Sequence, residues 1–291
     1  MELRTILAAV SGGDASFGTL DLACHLAREF NSHVEALHIE LDPREIAMAT
    51  ADPFGAPSVG MFIDEAVRDA AEIRTKARRI FDDAVMRHEL PIRDRPPPPD
   101  ADPMWVHRAS ACWRKEIGYS PTAIASRARL FDLLVLGRSG RVVDRPYTDA
   151  IEEALLAGGR PVLIAPAKPP RVFGATIAIA WNDTPEPAKA LAAAMPFLER
   201  AQKVHVLSVG QAPAADLSEQ LAWYGIRATA NAIDTVRGVG PGEAVLAAAR
   251  DHDADLLVMG GYGRTPWREL LFGGATREIV GTSLLPVLLA H

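Results

Sequence analysis

The chain has 291 residues, of which 48% are hydrophobic and 23% charged, so it is long enough for two globular domains and too apolar to be disordered. Its formal net charge is −6 and no stretch is rich in Lys and Arg, which argues against nucleic acid as the main partner. Its two cysteines, Cys24 and Cys112, are typical of buried free thiols in a reducing compartment. Because no apolar run reaches the length of a signal peptide or a membrane span, we expect a cytoplasmic protein that makes no membrane contact.

In chain order, the first half alternates short apolar strands with helices. The strands are predicted at TILAAV (5–10), HVEALHI (33–39), MWVHRASAC (104–112), DLLVLG (132–137) and PVLIAP (161–166). Apolar residues at helical spacing predict a helix that includes Phe17 and Ala27, and a long amphipathic helix over 63–89. Proline and glycine predict a long loop at 43–62 and a stiff loop or edge segment around the proline run 96–99.

The second half repeats these elements in the same order. Its strands are predicted at TIAIAW, KVHVLSV, RATANAI, DLLVMG and PVLLA, with a helix over 242–252 before DLLVMG. The proline-rich stretch PAKPPRVFG at 166–174 indicates a linker, so we predict two domains, 1–168 and 172–291. Continuous apolar strands that alternate with helices predict an α/β fold, with a parallel sheet covered by helices on both faces in each domain.

The stretch with the most glycine, VMGGYGRTPWRELLFGGAT at 258–276, follows the fourth strand of the second half. Ligands of open α/β sheets bind beyond the carboxyl ends of the strands, where the strand order reverses. Glycine lets a ligand approach the main chain, and the free N–H groups at a helix start bind phosphate. The stretch is therefore either a cradle for a phosphate chain or a pair of tight turns around a short helix.

Gly260, Gly263 and Gly273 match the Gly-x2-Gly-x9-Gly pattern of the universal stress protein family, and nearly the whole chain resembles two tandem domains of that family. The resemblance implies two flavodoxin-like, nucleotide-binding domains, each with a five-stranded parallel sheet of strand order 3-2-1-4-5. It also implies a stress-response sensor that binds an adenine nucleotide, ATP or AMP, in the second domain and hydrolyses ATP weakly at most. Mg²⁺ is expected only if ATP is bound.

The resemblance gives a set of nucleotide-binding candidates in the second half, all at or after the ends of its strands. Asn182 takes the place of an Asp that contacts adenine in the family, and its amide offers a donor and an acceptor. Arg264 is placed to pair with a phosphate oxygen, whereas Gly274 replaces the family's Ser or Thr and removes one hydroxyl. The full set is Asn182, Val209, Gly260, Gly263, Arg264, Gly273, Gly274, Ala275 and Thr276.

The first half retains less of the pattern. Gly137 and Gly140 keep the first spacing, but Thr148-Asp149 stands opposite Gly273-Gly274 when the last strands are matched. A carboxylate at that position would repel phosphate, so we predict that the first domain has lost its triphosphate site. The long loop at 43–62 and the helix after it are then candidates for a regulatory or partner-binding role.

Two other functions are also open. The chain is a non-catalytic interaction module if both halves have lost nucleotide binding. A remote alternative is an ATP pyrophosphatase-type enzyme, because SGGDAS at 11–16 resembles the pyrophosphate loop of that family, although Ala15 stands where the family has Asp. Without a ligand, this stretch is a turn with Asp14 or Ser16 as the helix N-cap. The eight histidines show no metal-ligand spacing, so no metal site is predicted.

The resemblance also implies an internal pseudo-dimer. Single-domain members of the family pair through their last strands, and PVLIAP and PVLLA would otherwise be unprotected sheet edges. We therefore predict that these two strands meet at a seam between the domains. A further homodimer and protein partners remain open.

Overall fold

The computed structural model describes residues 2–40, 59–98, 100–102, 108–138, 145–168, 170, 172–182, 184–209, 214–234, 240–261 and 285–291. The first domain contains five strands and four helices within these ranges: β1 (Thr5–Ala9), α1 (Ala15–Phe30), β2 (His33–Glu40), α2 (Val59–Arg87), β3 (Ser110–Ile117), α3 (Ser120–Ala128), β4 (Leu133–Gly137), α4 (Arg145–Ala157) and β5 (Val162–Ala165).

The second domain repeats this order of elements. Its described elements are β6 (Thr176–Ala180), α5 (Pro185–Leu198), β7 (Lys203–Val209), α6 (Ala214–Ala222), β8 (Ala228–Ile233), α7 (Pro241–Asp251), β9 (Leu256–Gly260) and β10 (Val287–Ala290). No helix among the described residues is long and apolar enough to cross a membrane.

The ten strands form one sheet in the order β3-β2-β1-β4-β5-β10-β9-β6-β7-β8. Within each domain the order is 3-2-1-4-5 and all pairings are parallel, which confirms the predicted fold. The predicted seam is also present, because β5 and β10 pair antiparallel with Leu163 opposite Leu288. The seam turns two sheets into one and leaves β3 and β8 as its edges.

The third strand is the main error of the sequence analysis. We predicted it at 104–112, but β3 is Ser110–Ile117, and 103–107 lie outside the described residues. The second half of β3 carries polar residues on both faces, because Arg114 and Lys115 point to opposite sides of the strand and each pairs with a carboxylate of β2. Arg114 contacts Glu35 at 3.4 Å, and Lys115 contacts Glu40 at 3.3 Å. A search for apolar runs therefore ends at Cys112, the third residue of the strand.

The long helix α2 starts at Val59 and ends at Arg87, so it includes the last residues of the predicted 43–62 loop. The rest of that loop lies outside the described part of the chain. Before the proline run, Ile92 pairs in parallel with Ala111 of β3, so the segment around Ile92 lies along the edge of the sheet. Residues 96–98 of the proline run are in neither a helix nor a strand.

Apolar side chains are buried on both faces of the sheet. Leu133 and Val135 of β4 belong to one core cluster, and Leu134 and Leu136 belong to the other, as expected for a strand covered on both sides. Each cluster contains residues of both domains. Cys24 and Cys112 are buried free thiols, as predicted, and burial raises the pKa of each to about 12.

Candidate functional site

The predicted crevice of the second domain lies at the carboxyl ends of β6 and β9. The strand order reverses here, since β6 has β7 on one side and β9 on the other. A small pocket of about 20 Å³ is formed at this point, which is room for about one water molecule. Its lining brings two predicted site residues together and includes Ala180, Asn182, Thr184, Glu186, Pro187, Met259 and Gly260.

Gly260 packs directly against the first turn of α5. A Cβ at this position would lie 2.6 Å from the backbone nitrogen of Pro187 and 2.7 Å from Cβ of Glu186. Any side chain would therefore push the helix away from the end of β9. The first glycine of the pattern has a packing role that does not depend on a ligand.

Asn182 is held by the residue that precedes α5. The hydroxyl of Thr184 donates to Oδ1 of Asn182 at 2.9 Å, and Thr184 occupies the N-cap position of the helix. This contact fixes the Asn182 side chain at the pocket while the other end of its amide forms no hydrogen bond with the described residues. An amide so placed can bind the polar edge of a ligand.

Glu186 gives this pocket a negative charge that the sequence analysis did not include. It lies in the first turn of α5, where a carboxylate interacts favourably with the helix N-terminus. Among the described residues, the lining contains no cationic side chain to offset it. A bare phosphate group at Gly260 would therefore be repelled, unless a cation accompanies it.

Of the remaining candidates, only Val209 lies within the described residues. Val209 is the last residue of β7 and pairs with Ile233, and it is not part of the lining. The backbone N–H of Gly261, next to Gly260, donates to the carbonyl of Ala290 at 2.7 Å and is not free for a ligand. The candidates that lie outside the described residues are Gly263, Arg264, Gly273, Gly274, Ala275 and Thr276.

In the first domain, Gly137 packs on the first turn of α1 as Gly260 packs on α5. A Cβ on Gly137 would lie 2.7 Å from the carbonyl oxygen of Ala15. Asp149, predicted at the start of the following helix, is instead the fifth residue of α4 and its side chain is exposed. Matching the last strands of the two halves predicted that this helix begins near Asp149, but α4 begins at Arg145. Asp149 therefore does not occupy a phosphate position at the helix start. Ser139, Gly140 and Asp144 lie outside the described residues.

Arg138 follows Gly137, where the second domain has Gly261, and it was missed by sequence reasoning. Its side chain is only 4% exposed, and Nη2 donates across the seam to the carbonyl of Leu285 at 3.4 Å. Burial lowers the pKa of this guanidinium to about 10. The sequence feature that could have revealed Arg138 is the difference between GRSG at 137–140 and GGYG at 260–263, which occupy matching positions of the two halves.

The SGGDAS loop is a closed turn. Oγ of Ser16 accepts from the backbone N–H groups of Ser11 and Gly12, both at 3.0 Å, and Oγ of Ser11 accepts from Gly13 at 3.1 Å. These N–H groups would be needed to hold pyrophosphate, and they are already used. Asp14 occupies the N-cap position but makes no capping bond, so the hydroxyl of Ser16 closes this turn.

No cluster of three or more His, Cys, Asp or Glu side chains that could hold a metal occurs among the described residues.

Comparison with known proteins relates part of this chain to a known family. The model of the universal stress protein family matches residues 175–291, and no protein with a curated description matches the chain. A universal stress protein from Archaeoglobus fulgidus is similar in structure, with a TM-score of 0.68 and 15% identity over 99% of this chain and 96% of that one. A functionally unknown protein from Pseudomonas aeruginosa is similar with a TM-score of 0.53 and 18% identity over 99% of this chain and 92% of that one. Residues 175–291 therefore belong to the universal stress protein family, and the whole chain has the tandem two-domain arrangement that fits it.

Proposed function

We propose that the second domain binds an adenine nucleotide, ATP or AMP, in the crevice between β6 and β9, and that the protein is a non-catalytic cytoplasmic sensor in a stress response. One observation carries this proposal: Asn182 and Gly260 line the same pocket at the point where the strand order reverses. The domain that holds them is the one matched by the family model.

In this proposal, the pocket at Asn182 is one end of a longer site. The free amide end of Asn182 binds the edge of the base, since it can match a donor or an acceptor. The resemblance to the family assigns the phosphates to Gly263, Arg264 and the stretch 273–276, which lie outside the described residues. ATP binds together with Mg²⁺, because the cation offsets the charge of Glu186.

The test starts from the purified full chain. Heat denaturation followed by mass spectrometry of the released fraction identifies a nucleotide that copurifies, and calorimetry measures ATP and AMP binding. We expect Asn182→Ala to weaken binding roughly tenfold, the loss of about one hydrogen bond. Asn231→Ala on β8 removes the same amide outside the pocket lining and should leave the affinity unchanged. If no nucleotide is released and neither ATP nor AMP binds, the nucleotide proposal fails.

A second candidate function is an interaction module that has lost nucleotide binding. The small volume of the pocket and the carboxylate of Glu186 favour it. The variant Gly274→Ser separates the two candidates, because it restores the hydroxyl that the family has at this position. A chain that binds no ATP until this substitution is made is an interaction module.

A further inference from the structure

The strand β8 forms an open edge of the ten-stranded sheet. Among the described strands it pairs with β7 alone, and its residues Ala230 and Ala232 are exposed. Its sequence, ATANAI, contains no charged residue and no proline, which are the usual means of keeping an edge strand from pairing with another chain. Four strand spacings, about 19 Å, separate β8 from β10, the strand before His291, so the last residues of the sequence do not contribute to this edge.

The pairing of β7 determines which backbone groups of β8 face the open edge. The carbonyl of Leu207 on β7 accepts from the N–H of Trp181, on the β6 side, so the alternate residue Val206 directs its N–H and C=O groups towards β8. Val206 lies opposite Ala230. In a parallel pair only one of two opposite residues bonds to the other strand, so Ala230 directs its own N–H and C=O groups away from β7. By the same alternation, the residues whose backbone groups face the edge are Ala228, Ala230 and Ala232.

The two ends of β8 carry opposite charges. Arg227 precedes the strand and Asp234 follows it, both are exposed, and neither forms an ion pair within the described part of the chain. An antiparallel copy of the same strand would place each Arg227 beside Asp234 of the other copy, whereas a parallel copy would place like charges together. Trp223, in the turn between α6 and β8, is 84% exposed, and exposed aromatic residues are typical of protein interfaces. The edge therefore complements a second copy of this chain.

We propose that β8 pairs antiparallel with β8 of a second copy, across a two-fold axis at Ala230. Ala230 then lies opposite its own copy, and Ala228 lies opposite Ala232 of the other chain. In this register the open N–H and C=O groups of the three alanines bond to one another. At the seam, β5 and β10 already pair antiparallel over three residues each, so the molecule contains a pairing of the same length. The dimer leaves β3, which the segment around Ile92 covers, as the outer edge of the joined sheet.

Sedimentation velocity of the full chain over a range of concentrations tests this interface. We expect a monomer–dimer equilibrium that Ala230→Pro weakens about thirtyfold, since each copy loses one hydrogen-bond donor at the centre of the pair. The proline removes no hydrogen bond within the chain, because this N–H faces the edge. Ala230→Lys should also weaken the dimer, because the two lysines meet at the axis, whereas Ala247→Lys at an exposed position of α7 should not.

The charges at the strand ends test the direction of the pairing. Arg227→Glu should weaken the dimer about tenfold, because two-fold symmetry turns two attractions into two repulsions. Adding Asp234→Arg to this variant exchanges the two charges and should restore the affinity of the wild type. A double variant that dimerises as weakly as Arg227→Glu alone contradicts the antiparallel pairing.

The same measurements can overturn the assignment. A chain that stays monomeric at every concentration excludes self-pairing and leaves an extended segment of another protein as the partner of this edge. A dimer that Ala230→Pro and Ala230→Lys leave unchanged has its interface elsewhere on the molecule. Should the Ala230 variants not fold, as judged by circular dichroism, the charge exchange decides, since Arg227 and Asp234 are exposed and lie outside the strand.

Discussion

The two domains share their strand order and their first motif glycine but differ in the charges around it. Gly137 and Gly260 both lie against the first turn of a helix, on Ala15 in one domain and on Glu186 in the other. The next position is a buried arginine, Arg138, in the first domain and a glycine in the second. A glycine kept in both domains for packing does not identify a ligand site. The residues that differ around it set the chemistry of each crevice.

The edges of the sheet differ as well. In the first domain, β3 is covered by the segment around Ile92, and Ala111 donates to the carbonyl of Pro91 and accepts from Arg93. Among the described residues, no such segment pairs with β8, where Ala230 and Ala232 are exposed. The longer insertion of the first half therefore protects its edge strand.

The largest effect is expected where the two domains touch. Phe197 of α5 packs edge to face on Phe30 of the first domain, with 5.3 Å between ring centroids, and on Phe173 of the linker at 5.8 Å. Phe197→Ala should lower the free energy of unfolding by about 4 kcal/mol, because it leaves a cavity between the domains. Urea unfolding followed by circular dichroism measures this loss.

The control is Phe17→Ala, which removes a ring that is 38% exposed and contacts Arg87. We expect this change to lower the free energy of unfolding by less than about 1 kcal/mol. Equal losses in the two variants would show that the domains do not stabilise each other through Phe197.

The next effect tests the packing role of the two glycines. Gly137→Ala and Gly260→Ala should each lower the free energy of unfolding by about 2 kcal/mol, since the added methyl meets helix backbone that cannot move freely. Gly240→Ala is the control, because open space surrounds a Cβ there and its φ is −69°. If Gly260→Ala costs no more than Gly240→Ala, the glycine is retained for a ligand and not for packing.

The sequence predicted the elements that repeat in the two halves and the strands that are continuous apolar runs. Nine of the ten strands were placed to within a few residues, because their apolar runs fill a two-sided core. The tenth, β3, was misplaced, since Arg114 and Lys115 are polar and are paired with β2. Within the site, Asn182 and Gly260 were predicted from the resemblance to the family. Glu186 was not, because its contact with Gly260 joins two elements that are far apart in the chain.

A smaller effect is expected from the carboxylate of Glu186, if the nucleotide proposal holds. Glu186→Gln should raise the affinity for ATP in the presence of EDTA by roughly tenfold, because it removes a negative charge from the crevice. With Mg²⁺ the gain should largely disappear. Glu243→Gln is a matched control, since Glu243 is also an acidic residue in the first turn of a helix. Equal Mg²⁺ dependence in the wild type and in Glu186→Gln would exclude this role.

The smallest effect concerns the third residue of the second strand in each domain. In the first domain this is Glu35, which accepts two hydrogen bonds of 2.7 Å from Arg127. In the second it is His205, whose ring stacks on His252 with 4.2 Å between centroids and accepts or donates a bond to Thr229. Burial first, then His252 and Lys203, lower the pKa of His205 below its usual 6.5.

The unfolded chain therefore binds this proton at a higher pH than the folded chain does. Stability should fall as the pH drops below about 6.5 and through the lowered pKa of His205. Urea unfolding at pH 7.5 and pH 5 should show a smaller loss in His205→Gln than in the wild type, whereas His25→Gln on α1 should retain the full loss. An unchanged pH dependence in His205→Gln would mean that the stacked pair of histidines does not contribute to it.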